Sequence, residues 1–539
     1  MLKKPKYIYG PNDKIVSAKL NVGDFLLSKL WEFQDKVALI NGATHEELTY
    51  LDIAQEAMNL AVSLVRLGVR KGDVVAICSE NRREFWSTVV GSICTGAIVT
   101  TINMGYTRDE LKHVMGIAKP KYIFCSPASY QAHSQTLRSL DYLKKILVYG
   151  DQKHRATLLY NDLAVVSPHT KGSPGKITEN VQYDSFQPVD VKGDDTVLIL
   201  YSSGTTGLPK GVMLSQLSVL TACTPTFLTM LVRPLTITPW FHTLGLISTL
   251  SSFARGITTV FLPKFEVELY LKTIEKYQVS QLVVVPPVLV ALCKAELQYD
   301  VSSVQMIYSG AAPLYRDTVE AVMKKFPNVQ VVLQGYGMTE CTLAVTLCFN
   351  PDKTGSVGAV TSNTTIKVVH PETREVLGPN QEGEICVKGV MLMKGYIGKD
   401  MKDDFDEEGF FRTGDIGYYD EDGYFFIVDR LKELIKYKGY QVAPAEIEAL
   451  LLKHEGVRDA GVVGIDHPAA GEVPLAFVVP QPGVKLTEKD IQDFVAERLS
   501  NPKHLRGGVK FIAEIPKNPS GKILRKELRK LVKNRRSKL

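Results

Sequence analysis

An α/β fold, with a large N-terminal region of α/β subdomains plus a β-rich subdomain and a small mobile α+β C-terminal domain, is predicted by three patterns in the 539-residue chain. Short continuous apolar runs such as VVAIC (74–78), YIFC (122–125) and VLIL (197–200) alternate with stretches of helical periodicity. Such runs mark strands buried on both faces, and the helices between them are the layers that cover a largely parallel sheet. Past Gly355 the helices give way to strands joined by Gly, Pro and Asp turns. Charge and turns then gather in DRLKELIKYKGYQVAP (429–444), and a compact helix–strand mixture follows.

Along the chain, AMNLAVSLVRLG (57–68) reads as a helix stopped at Gly68, DVVAICS (73–79) as a buried strand, and REFWSTVVGSICTGAIVTT (83–101) as a helix running into a strand. KILVYG (145–150) is a further short buried strand. The rhythm resumes in TTVFLP (258–263), QLVVVPPVLVALC (281–293), VQMIYSG (304–310) and VQVVLQGYG (329–337). Several of these strands end in Ser, Gly or Gln-Gly, where open α/β sheets hold their ligands. KVVHPETREVL (367–377), GEICVKG (383–389) and GYYDEDGYFFIVDR (417–430) are turn-linked strands. The boundary falls at about Arg430 to Lys432, giving an N-terminal domain 1–430 and a C-terminal domain 431–539 of ordinary small-domain size. The last helix, ILRKELRKLV (523–532), carries Leu524, Leu528, Leu531 and Val532 on one face. Its basic face reads as the solvated side of a docked helix rather than a membrane contact.

Composition removes several function classes. Apolar residues at 45% and charged residues at 23% exclude disordered and collagen-like chains. The net charge of +6 is local: from Lys522 onward nine basic residues face Glu527 alone, a net +8, which leaves the rest of the chain at −2. A basic groove for nucleic acid is therefore not expected. The eight cysteines include no C-x-x-C pair and sit in apolar surroundings, as buried free thiols do. The N-terminus has charge but no apolar core of a signal peptide, and LVVVPPVLVALC is too short to span a bilayer. Ser537, Lys538 and Leu539 form a peroxisomal address, so a peroxisomal location and an import receptor as partner are expected.

The stretch YSSGTTGLPKG (201–211) has the parts of a phosphate cradle in an unusual order. Counted from Gly204, a Walker A loop needs glycine at 209 and a hydroxyl at 211, and the chain has Pro209 and Gly211 there. That pair also forbids the helix that backs a kinase loop. The physics of an anion loop remains: Gly204, Gly207 and Gly211 let backbone N–H groups approach oxyanions, Ser202, Ser203, Thr205 and Thr206 add hydroxyls, and Lys210 adds charge.

YSSGTTGLPKGVMLS closely resembles the signature loop of the adenylate-forming superfamily of acyl-CoA synthetases, plant 4-coumarate–CoA ligases and beetle luciferases. QGYGMTE (334–340), FRTGD (411–415), VDRLKELIKYKGYQVAPAEIE (428–448) and PKNPSGKILRKEL (516–528) follow in the family's order, so the resemblance covers nearly the whole chain, with the insect luciferase-like branch most similar. It implies a two-step reaction: a carboxylate attacks the α-phosphorus of ATP with Mg²⁺ present, and coenzyme A then displaces AMP. It implies that Ser202, Ser203, Gly204, Thr205, Thr206, Gly207 and Lys210 hold the outer phosphates, and that Gln334, Gly335, Tyr336 and Ala311 surround adenine. Thr339 would touch the α-phosphate, Glu340 would hold Mg²⁺, and Asp415 with Arg430 would bind the ribose. Lys522 would serve adenylation; rotation at the Lys432 hinge would replace it with Lys438 and Gly439 at the thiol tunnel.

His242, Thr243, Leu244, Ser309, Gly310, Ala311 and Leu343 are the expected acyl pocket, with His242 orienting the carboxylate. Here the chain departs from the luciferase pattern. Phe241-His242 replaces a histidine pair, Thr243-Leu244 replaces Gly-Phe, and Gly310-Ala311-Ala312-Pro313 replaces Gly-Gly-Ala-Pro. Leu343 stands where a serine is usual, and Gln216 where a histidine is frequent. The pocket becomes more apolar and poorer in donors. The expected activity is therefore a medium- to long-chain fatty acyl-CoA synthetase, with luciferase as the alternative and a 4-coumarate-type ligase behind it. A non-catalytic peroxisomal binding protein is disfavoured by intact Lys210, Glu340, Asp415, Arg430 and Lys522.

Overall fold

The structure is a computed structural model that describes residues 7–12, 21–166, 176–202, 209–224, 232–296, 298–310, 314, 316–353, 355–437, 440–467, 470–517 and 521–536. Among these, the strands form four sheets. In the first, strands Thr196–Ser202, Ile98–Ile102, Val74–Cys78, Tyr122–Cys125, Lys145–Val148 and Thr157–Leu159 run parallel in that spatial order. Lys210–Ser215 then adds antiparallel to Thr196–Ser202. The second sheet has a parallel core of Val331–Gly337, Met306–Ser309, Gln281–Val284, Pro234–Thr236, Thr259–Phe261 and Val37–Asn41, with Ala344–Cys348 antiparallel at one side. The apolar runs VVAIC, YIFC and VLIL are these parallel strands, buried on both faces as their sequence requires.

Helices from both sheets share one core. Tyr50–Arg66 begins with a capping box between Thr49 and Asp52, which satisfies two of the donors a helix start leaves open. Trp86 and Trp240 meet edge-on at 5.2 Å, and Phe253 packs on Trp86 at 5.1 Å. Each such ring removes about 150–250 Å² from water, on the order of 4–6 kcal/mol at about 25 cal/mol/Å². Helix Thr243–Ala254, which carries Phe253 together with Leu246 and Leu250, is thereby fixed as a firm wall for whatever lies on its other side.

The third sheet is antiparallel, in the order Tyr7–Tyr9, Thr364–Val369, Gly383–Gly389, Phe411–Tyr419, Phe425–Arg430. The fourth contains Ile435–Tyr437, Tyr440–Val442, Val457–His467, Gly471–Pro480 and Val509–Phe511, with its own core around Ile435, Val462, Ala476 and Val478. Arg430 thus ends one sheet and Ile435 begins the next, with exposed Lys432 in the turn between them. The two sides touch: Asp429 Oδ2 accepts from the Ala445 amide at 3.1 Å, and Lys453 pairs with Asp317 at 2.9 Å.

The TGD of FRTGD (411–415) lies inside strand Phe411–Tyr419. The terminal helix spans Arg525–Arg536 and is docked through Leu528, which is fully buried, and Val532, whereas Leu531 is exposed and Leu524, also exposed, precedes the helix. All eight cysteines are free and seven are buried. No described helix is long and apolar enough to cross a membrane.

Candidate active site

The glycine-rich loop leaves strand Thr196–Ser202 and returns as strand Lys210–Ser215, with Lys210 paired to Ser202. No helix follows, as Pro209 and Gly211 require. Ser203, Gly204, Thr205, Thr206 and Gly207 lie outside the described residues, as do Ala311, Lys438 and Ser537 to Leu539. The strands that frame the loop place Ser202 and Lys210 side by side. Ser202 Oγ is buried and finds no hydrogen-bond partner among the described residues. The Lys210 ammonium sits 4.6 Å above the Tyr396 ring, and burial, followed by the charge of Lys399, lowers its pKa.

Tyr396 joins this lysine to Glu340. Its hydroxyl donates to Glu340 Oε1 at 2.9 Å, and burial followed by the Glu340 charge raises the phenol's pKa. Glu340 itself is buried in a short turn, Thr339–Cys341, at the end of strand Val331–Gly337. The glycines of QGYG explain why this turn can form. A Cβ on Gly337 would stand 1.9 Å from the Leu343 carbonyl oxygen, and one on Gly335 would stand 2.8 Å from the Tyr308 hydroxyl. Chain 338–344 folds back that closely. It does so through Thr342, a β-branched residue held at φ 63°, a conformation that costs roughly 1–3 kcal/mol. Hydrogen bonds from Thr342 Oγ1 to the Met391 carbonyl (2.6 Å) and from Thr243 Oγ1 to the Thr342 carbonyl keep it there.

Asp415 and Arg430 are direct cross-strand partners, and Arg430 Nε meets Asp415 Oδ1 at 3.1 Å. The Tyr336 hydroxyl donates to Asp415 Oδ2 at 2.7 Å, which ties the second sheet to the third. Burial followed by the Asp415 charge pushes the Tyr336 phenol well above its ordinary pKa. Lys522, half-buried, lies within the field of both Arg430 and Asp415. Burial first, and Arg430 next, bring its ammonium down to about 8, against the opposing pull of Asp415. Gly521 is seated on Pro287, at the start of helix Pro286–Lys294. The C-terminal lysine therefore stands beside the residues expected to hold a nucleotide.

His242 is the N-cap of helix Thr243–Ala254, its ring tilted by 45° against that of Phe241 with centroids 4.4 Å apart. Its Nε2 is buried without a partner among the described residues, and so is Ser309 Oγ, at the carboxyl end of the adjacent sheet's strand. Burial brings the imidazole down to about 4, so it is neutral at physiological pH and can donate or accept without carrying charge. Ser202, Ser309 and His242 carry three buried polar atoms that the described residues leave without a hydrogen bond, the condition of a site that a polar ligand completes.

A cavity of about 150 Å³ is lined by Tyr308, the neighbour of Ser309. Leu333, Leu343, Leu347 and Met391 wall it on the Glu340 side, and Tyr308 separates it from Gly335. Of the residues expected in the acyl pocket, Leu343 lines the cavity. Gly310 lies against Leu244 and Tyr308 beside it, and His242, Thr243 and Ser309 are not among the residues that line it. Tyr308, Tyr396 and Arg255 had no motif to mark them in the sequence.

Glu340 fits a Mg²⁺ site of the kind completed by phosphate and water. Its Oε2 takes no hydrogen bond from the described residues, and these hold no cluster of three or more His, Cys, Asp or Glu that would cage a metal alone.

Comparison with known proteins agrees with this geometry. Residues 29–397 match the model of the AMP-binding enzyme family, and residues 446–522 match that of the AMP-binding enzyme C-terminal domain. The chain is 38% identical to a luciferin 4-monooxygenase of Photuris pensylvanica over 99% of each chain. It is 40% identical to 4-coumarate–CoA ligase 3 of Arabidopsis thaliana, over 94% of this chain and 90% of that one. Its fold matches ATP-bound MatB from Rhodopseudomonas palustris with a TM-score of 0.83 at 28% identity, covering 95% and 99% of the two chains. With Asp415 and Arg430 paired and Lys522 in their field, and with both family models matched, the chain belongs to the AMP-binding, adenylate-forming family of enzymes.

Proposed function

We propose that the enzyme activates a medium- to long-chain fatty acid to its acyl-adenylate and transfers the acyl group to coenzyme A. The observation that carries this reading is the cavity beside the nucleotide residues, walled by Leu333, Leu343, Leu347 and Met391 where the acid's chain would lie. Its relatives include both a luciferase and a CoA ligase, so the reading rests on the pocket rather than on kinship.

The acid's carboxylate belongs at the start of helix Thr243–Ala254, where open backbone N–H groups favour an anion and His242 Nε2–H can donate without adding charge. One carboxylate oxygen bonds to the α-phosphorus, the bond to the bridging oxygen breaks, and pyrophosphate leaves. Thr339 and Lys522 face the charge that gathers on the α-phosphate, and Lys210 faces the departing pyrophosphate. Mg²⁺ held at Glu340 supplies charge neutralisation to the phosphates. Asp415 and Arg430 hold the ribose. In the second step the thiol sulfur of coenzyme A bonds to the acyl carbon, AMP departs with the acyl oxygen, and the thiol proton is lost. The Lys432 turn is the joint about which the C-terminal domain would swing to admit the thiol.

The test supplies ATP, Mg²⁺ and coenzyme A with saturated fatty acids from hexanoate to octadecanoate, 4-coumarate and luciferin. A fatty acyl thioester with stoichiometric AMP is expected. Strong light from luciferin with no thioester from any acid would overturn the reading. Glu340→Gln should keep the Tyr396 contact but lower kcat/KM for Mg-ATP by about 10–100-fold, with a higher Mg²⁺ requirement. An unchanged Mg²⁺ titration would remove Glu340 from that role.

A further inference from the structure

We propose that the acyl cavity is built for an acid whose far end is also an anion, a medium-chain α,ω-dicarboxylic acid, and that Arg255 reads the distal carboxylate. This rests on the CoA-ligase reading above and narrows its substrate.

Helix Thr243–Ala254 turns an unusual face to the cavity. Leu246, Leu250 and Phe253 face the protein core, as an amphipathic helix should. The opposite stripe, Ser248, Ser251, Ser252 and Arg255, has the i, i+3, i+4, i+7 spacing of a single helical face, and all four line the cavity. A cavity meant for a methyl-ended chain would be lined by aliphatic residues along this stripe. Ser251 is 4% exposed, and its hydroxyl finds no partner among the described residues. It is a buried donor in the cavity wall that a ligand group can satisfy.

The polar end of the cavity lies away from the reacting atoms. Thr243, at the helix start, bonds to the Thr342 carbonyl next to Leu343, whereas Arg255 is the residue that ends the helix. The 12 residues of the helix rise about 18 Å. The sheet gives the same direction. Gln281, also in the cavity wall, opens strand Gln281–Val284, whose last residue pairs with Ser309 at the nucleotide side. Three residues of strand put Gln281 about 10 Å behind that end. Leu343, Ala344 and Met391 line the other end. The guanidinium of Arg255 and the amide of Gln281 therefore lie in the part of the cavity far from the adenylating residues.

Arg255 suits the distal role in its chemistry. Its Nε donates to the Ser251 carbonyl at 3.2 Å, which orients the planar guanidinium. That group's fork matches a carboxylate in two parallel hydrogen bonds. An arginine that merely balanced the helix dipole would need no cavity in front of it. A span of roughly 10–18 Å between the two ends of the ligand corresponds to about 8–14 bonds of an extended chain, each advancing it by about 1.25 Å.

The experiment compares dodecanedioate, dodecanoate and ω-hydroxydodecanoate on the full-length enzyme and on Arg255→Met, following AMP release with coenzyme A present. Wild type should prefer the dicarboxylate. R255M should lower kcat/KM for the dicarboxylate by about 100-fold, while holding or raising it for dodecanoate. The ω-hydroxy acid should fall between them in the wild type. Should R255M fail to fold, Ser251→Ala provides the second comparison, with a several-fold loss on the dicarboxylate alone. A wild type that prefers dodecanoate, or variants that change all three acids equally, would overturn the assignment and leave the ligase reading intact. No AMP from any acid would overturn the ligase reading itself.

Discussion

Lys522→Ala should lower acid-dependent pyrophosphate exchange by about 100–1,000-fold, the cost typical of removing one preorganised donor to transition-state charge. The same variant, given ready-made acyl-adenylate and coenzyme A, should form the thioester within a few-fold of the wild-type rate. The two halves separate because Lys522 sits on the C-terminal domain, beyond the Lys432 turn, and is lodged next to Asp415 and Arg430. It can serve the step in which the domain is placed this way and not a step that moves it elsewhere. The pH dependence gives a second signature. Burial and Arg430 bring the ammonium down to about 8. The charged form is therefore full below that pH and is lost as pH rises through it. Adenylation by wild type should fall with one proton above about pH 8 in kcat/KM, which reports the free enzyme. Lys522→Ala should show a flat profile there. Equal losses in both half-reactions would instead make Lys522 a structural residue of the domain interface.

Much of this arrangement can be read directly from sequence, for identifiable reasons. Parallel strands are buried on both faces, so VVAIC, YIFC and VLIL appear as unbroken apolar runs and need no tertiary information. The loop at 203–208 is bounded by a strand before it and by Pro209, so the absence of a following helix is a local property. Asp415 and Arg430 are also within reach of sequence, since a hairpin of known strands brings them opposite each other. What sequence does not carry is contact between sheets. Tyr336 and Asp415 meet only because the second and third sheets abut. Tyr396 finds Glu340 from the short Gly395–Tyr396 strand at an edge of the first sheet. Arg255 is hidden for another reason. A basic residue at a helix C-terminus is ordinary, and the serine stripe before it reads as a solvated face until a cavity is found in front of it. The cavity shows the same limit. Leu343 is within reach of motif comparison, while Leu347, Met391 and the serines of helix Thr243–Ala254 come from positions with no motif.

Asp415→Asn should raise KM for ATP by about 10–100-fold and move the alkaline limb of adenylation to lower pH. Asp415 is 4% exposed and receives two donors, Arg430 Nε at 3.1 Å and the Tyr336 hydroxyl at 2.7 Å. Truncation to alanine would strand both, a loss of roughly 3–5 kcal/mol that could unfold the site. Asparagine avoids this. Its carbonyl can face Arg430, and its amide can donate to Tyr336, whose hydroxyl accepts as readily as it donates. The shape survives and the charge does not. Ribose hydroxyls then meet a neutral acceptor in place of a carboxylate, which loses about 1–3 kcal/mol of charge-assisted hydrogen bonding. Lys522 responds as well, because Asp415 is the foremost of the groups raising its pKa, and Arg430 opposes it. With the carboxylate neutralised, the arginine acts with less opposition and the ammonium deprotonates at lower pH. The limb near pH 8 should therefore shift acidward in Asp415→Asn, while thioester formation from supplied adenylate keeps its pH profile. A raised KM with an unmoved limb would mean that Asp415 binds the ribose but does not set the charge of Lys522.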